Sequence, residues 1–425
     1  MKQLLRIRNL IGTVTVFLFL WMLKGIGLQL ELLNVFEQVF DNFELTDVYY
    51  TRLRNPQSVP FERNVVLVNI GDLDRRGIAR QIQILNQYNP KVIGMDVLFD
   101  TPKDDPVGNF QLMHAMRTAG NVVLGSKPVG LSQNQEFDSL ALPFEMIRPV
   151  VSTGHVYTGV KYGDFVTWRD IPVKVKTTSG KEEPCLALAI MEQYDSTVAK
   201  AMVERGNERE TIYFKGNLDK FNKLDVKDVL EENFDPSLIK DKIVLMGYMG
   251  AGYTDYFFQE DRFYTPLNKN SIGRGVPDMY GVVVHANILS MILEGNYINE
   301  VPIFWAVAVA VLVCYFNMIL FSYILEIHRY AVWYNAITKS IQLLEAVVVL
   351  GLSVFTFAEW HISFNFTITF LVILISGDLI EIFVEVGLRA TKAYYHRFKK
   401  FKETKKLAVD GQVSSSTPKT DIIQD

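Results

Sequence analysis

Four apolar stretches divide this chain before anything else is considered. One lies near the N-terminus, at about 11–30, interrupted by Lys24. Three crowd together after Pro302, at about 303–325, 341–358 and 362–383. Each is close to the roughly 20 apolar residues that cross a hydrocarbon core. Between the first and the second, residues 31–301 hold no further stretch of this kind, so they read as a water-soluble domain between membrane segments. Mean hydropathy is +0.13 with 49% hydrophobic and 21% charged residues, a balance that fits a mixed protein.

Two readings compete for the first stretch, a cleaved signal peptide and a retained anchor. No small-x-small cleavage site follows Leu23, which favours the anchor. Basic residues fix the orientation. Lys2, Arg6 and Arg8 precede the first stretch, Arg329 and Lys339 lie between the second and third, and a cluster at 389–406 follows the fourth. All three groups lie on the cytoplasmic side if there are four spans with 31–301 outside. The expected organisation is a cytoplasmic stub and span (1–30), an extracytoplasmic domain (31–301), three spans (302–386), and a basic juxtamembrane segment with a disordered cytoplasmic tail (387–425). That makes the chain a multi-pass membrane protein with its large domain outside the cytoplasm.

Inside 31–301 the pattern is strand, helix, strand, helix, strand. Val65–Ile70 is a near-continuous β-branched run, 75–88 has helical spacing through Ile78, Ile82 and Leu85, and 91–97 is a second strand. A helix at 109–119 and a strand at 121–125 follow. Continuous apolar strands with short links predict a largely parallel α/β sheet covered on both faces. Further on, 187–194 reads as helix, 211–214 as a short strand, 226–234 as a polar helix stopped by Asp235-Pro236, and 243–247 as a buried strand. A helix at 279–293 carries a stripe of Val282, Ala286, Leu289 and Leu293. Gly295 stops it and Pro302 opens the next helix.

Several segments of the domain, taken in order, resemble the second type of CHASE domain, the cyclase/histidine-kinase-associated sensory extracellular family of bacterial receptors. They are VVLVNIGDLD (65–74), KVIGMDVLFD (91–100), GHVYTGVKYGDFVTWRDIPV (154–173), CLALAIME (185–192), TIYFKGN (211–217), DKIVLMGYMGAGYTD (241–255), TPL (265–267) and GVVVHANILSMILEGNYI (281–298). The resemblance covers about 60–301 and implies a sensory domain followed by three spans. Where the family often has a Trp/Pro-rich segment ending in Arg, this chain has only Leu73–Gly77. The tail after the last span is too short for the kinase, cyclase or phosphodiesterase that commonly follows. The expectation is therefore a membrane-anchored sensor that acts through a partner protein. The rival reading is a docking subunit of an envelope complex that senses nothing.

Asp72, Asp74, Asp96, Asp100 and Asp255 fall at or just past the C-terminal ends of predicted parallel strands, where open α/β sheets bind ligands. Together with His285 they form the candidate pocket. Clustered carboxylates can hold a cation, although Asp is also an ordinary turn and cap residue. His285 and Asn287 lie on an apolar helix and must find partners; His285 reads as a structural histidine or as a pH or ligand sensor. GYMGAG at 247–252 lacks the Lys-Ser/Thr of a phosphate loop. No nucleophile–base spacing or metal motif occurs, so neither enzyme activity nor a cofactor is expected. Cys314 lies inside an apolar run, which argues against a disulfide with Cys185.

Glu345, Asp378, Glu381 and Glu385 lie in apolar stretches, where acids are costly and often functional; near the predicted cytoplasmic ends they read either as functional groups or as interfacial acids balanced by Arg389 and Lys392. Lys399, Lys400, Lys402, Lys405 and Lys406 read as contacts to anionic lipid. A net charge of −4 gives no reason to expect nucleic acid. Assembly into a homo-oligomer is left open.

Overall fold

The computed structural model describes residues 7–27, 44–130, 136–159, 166–252, 260–269, 276–327 and 333–382. The chain forms two compact units. One comprises 34–300 together with 353–363, the other 1–33, 301–352 and 364–425.

The larger unit is built on a seven-stranded sheet. Its order is Phe221–Leu224, β1 (Glu62–Asn69), Ile243–Gly247, β2 (Val92–Met95), β3 (Val122–Val129), with Ser139–Ala141 and Ser152–His155 both on the far side of β3. All pairings are parallel except Ser139–Ala141 against the end of β3. Alternate residues of each strand enter two separate cores. Val65, Leu67, Val92, Val123 and Leu245 pack with the helices Leu186–Tyr194 and Gly281–Glu294. Val66, Val68, Ile93, Met95, Leu124, Val244 and Met246 pack with the helices Arg75–Gln87 and Pro106–Ala119. Burial on both faces is why these strands read as continuous apolar runs.

The helix Gly281–Glu294 departs from the expected stripe. Every residue from Gly281 through Ile292 is buried, so the helix is enclosed on all sides. A Cβ on Gly247 would lie 2.6 Å from Val282 Cβ, so glycine is what lets this helix approach the end of its neighbouring strand. Gly295 ends the helix in the left-handed conformation, at φ 66°.

Several other boundaries need correction. The strand expected at 211–214 is Arg209–Thr211, paired antiparallel with Asp170–Pro172. The helix at 226–234 is only Val226–Leu230, and Asp235-Pro236 opens a 3-10 turn instead of closing a helix. The strand at 121–125 continues to Val129.

The second unit contains the helices Ile7–Gly27, Ile303–Glu326, most of Tyr334–Trp360, and 367–382. Two are long and apolar enough to cross a membrane, Ile303–Leu325 and Tyr334–Trp360. The link placed at 326–340 is shorter than expected, because residues from Tyr334 onward are already helical. The stretch expected to begin at 362 begins instead with a strand, Ile362–Ser363, which pairs in parallel with Asn299–Glu300 of the domain.

Within the second unit Val16, Ala310, Cys314, Phe321, Val372 and Ile380 pack inward. Leu343, Leu344, Phe316 and Phe304 face outward, each more than half exposed. Asn317 Nδ2 donates to Glu345 Oε2 at 2.9 Å, and Lys339 pairs with Asp378 at 2.8 Å. Asp378 thus takes its counter-charge from Lys339; Glu385, Arg389, Lys392 and the lysines 399–406 lie outside the described residues.

Candidate functional site

The site forms where β2 ends and the helix Gly281–Glu294 begins. Asp96 directly follows β2, and its backbone N–H donates to Met246 O at 2.8 Å, which fixes it at the sheet's carboxyl edge. Asp261 takes the left-handed conformation at φ 57°. Its carbonyl accepts from Gly281 N–H at 3.0 Å, tying it to the first turn of the helix. A Cβ on Gly281 would stand 3.3 Å from both Asp96 Oδ2 and Asp261 Oδ2 and 3.2 Å from the Phe263 ring. The missing side chain is what allows two carboxyl groups to share the helix N-terminus, where the helix dipole favours negative charge.

One turn along, His285 is buried with Nε2 3.9 Å from Asp96 Oδ1, too long for a hydrogen bond but close enough for charge to act. Its ring meets Trp168 edge-on at 5.6 Å, and its Nδ1 has no hydrogen-bond partner. His155, at the end of Ser152–His155, is equally buried. Its Nδ1 accepts from Tyr157 N–H at 3.3 Å, and its Nε2 has no partner. Buried polar nitrogens in native folds are nearly always paired, so the open Nδ1 of His285, one turn from the carboxyl pair, singles this corner of the fold out.

Electrostatics sharpen this. Burial, and then repulsion from Asp96, push Asp261 up to about 8. Burial likewise raises Asp96, with His285 partly offsetting it. Burial lowers His285, against the pull of Asp96, and pushes His155 down to about 3 with further repulsion from His285. A carboxyl group raised in this way beside a second one favours keeping its proton near neutrality, and the lowered imidazoles favour the neutral form.

Of the residues singled out in the sequence, the structure brings together Asp96 and His285. Asp74 is a helix cap, its carboxylate accepting from Gly77 N–H at 2.8 Å. Asp72 and Asp100 are exposed, and Asp100 faces Arg75. Asp255 lies outside the described residues. Asp261, His155 and Trp168 were not singled out. Asp261 stands in an irregular loop and His155 on a short edge strand, so neither shows periodicity; only the fold makes them neighbours of Asp96.

The glycines at 247–252 serve a turn. Asn69 Oδ1 accepts from Gly71 N–H and Met249 N–H, and its Nδ2 donates to Asp225 and Gly250 O, closing the sheet edge without a free anion cradle. An open polar cleft lies elsewhere, lined by Arg205, Arg209, Glu210 and Glu300. Its arginines are already paired, Arg205 with Glu210 and Arg209 with Asp170. Among the described residues no three His, Cys, Asp or Glu side chains are placed to hold a metal ion.

A family model, the CHASE2 domain, matches residues 13–322. The chain belongs to the CHASE2 family. The match extends past 60–301 on both sides, into the first apolar helix and the helix Ile303–Glu326. CHASE2 domains are extracellular sensory domains, and the mixed α/β unit with its largely parallel sheet is the CHASE2 domain of this chain. Neither curated proteins nor solved structures returned a match.

Proposed function

We propose that this CHASE2 protein is a membrane-anchored sensor without an enzymatic activity of its own, with the carboxyl pair Asp96–Asp261 as its sensing site and a separate protein as its output. The observation that carries this is the helix Gly281–Glu294. It begins between the two carboxyl groups, and its chain reaches the apolar helix Ile303–Glu326 after only the segment 295–302. A change in the charge held at the N-terminus of a fully enclosed helix is felt along the whole element, because a packed core has few intermediate arrangements.

The full reading has four spans, with 31–301 outside a bacterial cytoplasmic membrane and 387–425 inside. Two helices meet the length and composition for a span. The outward apolar faces of the second unit and the basic flanks support the other two. Lys399, Lys400, Lys402, Lys405 and Lys406 would hold the tail against anionic lipid, with about 1 kcal/mol per basic residue near the surface.

The test uses the full chain in sealed vesicles. Hydrogen exchange in 281–302 is followed while the pH on the domain side moves between 6 and 8. The sensor reading expects the protection factors, that is the exchange corrected for its intrinsic base-catalysed rate, to change in the native protein and to stay fixed in Asp261→Asn, which mimics the protonated acid. A native protein whose 281–302 segment is indifferent to pH contradicts it and favours the docking-subunit reading.

A further inference from the structure

The domain takes in the facing ends of two stretches that the sequence assigns to the membrane, with the turn between them. Residues 353–363, the end of the helix Tyr334–Trp360 and the turn after it, belong to the compact unit of the sensory domain. Phe357 is 1% exposed within that unit. Its ring meets Tyr49 at 5.2 Å and Tyr50 at 5.6 Å, both edge-on. His361, with φ 52°, lays its ring 4.5 Å from Tyr213, and its carbonyl accepts from Asn299 N–H at 2.8 Å. Ile362 and Ser363 then pair with Asn299 and Glu300.

The same tyrosines connect back to the helix that leaves the carboxyl pair. Asn287 on that helix grips the backbone of 215–216: its Oδ1 accepts from Lys215 N–H at 2.7 Å and Gly216 N–H at 3.1 Å, and its Nδ2 donates to Gly216 O at 2.9 Å. Met291 Sδ accepts from Tyr213 N–H at 3.3 Å. Phe214 N–H donates to Tyr50 Oη at 3.3 Å, and Arg54 lies over the Tyr50 ring while donating to Phe214 O. Residues 213–216 have no strand partners of their own. Their backbone is held by side chains from the helix on one side and by the Tyr50 cluster on the other.

We propose that 213–216 is a relay, and that the sensory domain has a second outlet besides the connection 295–302: it holds the turn after the helix Tyr334–Trp360 and moves it when the helix Gly281–Glu294 shifts. The purpose of such a relay rests on the sensor reading, but its existence does not. Contiguity alone does not make residues couple, so coupling is what the experiment reads.

The full chain is placed in lipid nanodiscs, and amide exchange is followed in peptides covering 211–217 and 357–363, with the helix Arg75–Gln87 as reference. Asn287→Ala removes the grip on 215–216. Exchange in 357–363 is expected to rise by at least about fivefold, the lower end for a lost buried hydrogen bond, with the reference unchanged. Phe357→Leu is expected to loosen 211–217 in return, since coupling is reciprocal. If Asn287→Ala loosens the reference helix as well, the decision passes to Met291→Leu, which removes only the sulfur acceptor of Tyr213 and is read by the same criteria. Exchange in 357–363 that stays at the native rate while 211–217 loosens overturns the proposal. No stimulus is applied, so that outcome leaves the sensor reading standing, with 295–302 as its outlet.

Discussion

The raised Asp261 carboxyl has a measurable consequence for stability. Asp261 binds its proton more tightly in the folded chain than in the unfolded one, so the folded state holds more protons than the unfolded state from about pH 4 up to about 8, and stability falls as pH rises through that window. The histidines work in the opposite sense. His155 and His285 are held below their ordinary value, so the unfolded chain takes up their protons first and they lower stability only on the acid side of about 6.5. Asp278, pushed up to about 6 by burial, adds to the fall only below that point. Between pH 6.5 and 8 the carboxyl pair is therefore left to dominate. Thermal melts of the full chain should show a loss on the order of 1–2 kcal/mol across that interval. Asp261→Asn should flatten the slope and be the more stable protein at pH 8. A slope unchanged in the variant would show that Asp261 does not hold its proton in this range. Half of this site was legible in the sequence. Asp96 follows a buried strand and His285 lies on an apolar helix, both visible as patterns. Asp261 and His155 reach it only through chain folding over long separations, which no local pattern records.

At the scale of the element, the helix Gly281–Glu294 is held along its length by polar anchors placed among apolar residues. Lys215 is buried and its Nζ lies 3.0 Å from Glu62 and 3.3 Å from Ser290, with Glu294 also paired to it. Burial works against the Glu62 charge, yet hydrogen bonds from Ser290, Asn64 and Lys215 hold its pKa below the ordinary carboxylate value. Lys215→Met leaves that carboxylate without its counter-charge and should cost about 3–5 kcal/mol in a denaturant titration. Adding Glu62→Gln should recover a good part of the loss; a double variant as unstable as the two single losses summed would show that the pair does not act as a unit. The parallel sheet was readable because strands buried on both faces write themselves as unbroken Val, Ile and Leu. The short strand Ile362–Ser363 was not. Its residues are apolar in an apolar neighbourhood, and only the partner at Asn299–Glu300 turns them into a strand.

At the scale of the molecule, the proposed sensor requires its CHASE2 domain to lie outside the cytoplasm and its apolar helices to cross the membrane. The four apolar stretches and three basic flanks were plain in the sequence, whereas helix limits such as Tyr334 were not, because polar residues 334–340 extend an apolar helix into what reads as a loop. The most direct test is the side of the membrane on which the domain lies. Reporters inserted at Gly206, where the chain turns with no neighbour within 4 Å of an added Cβ, and fused after Asp425 should report opposite sides, with Gly206 outside and the C-terminus inside. Two reporters on the same side, or Gly206 on the cytoplasmic side, would contradict the account.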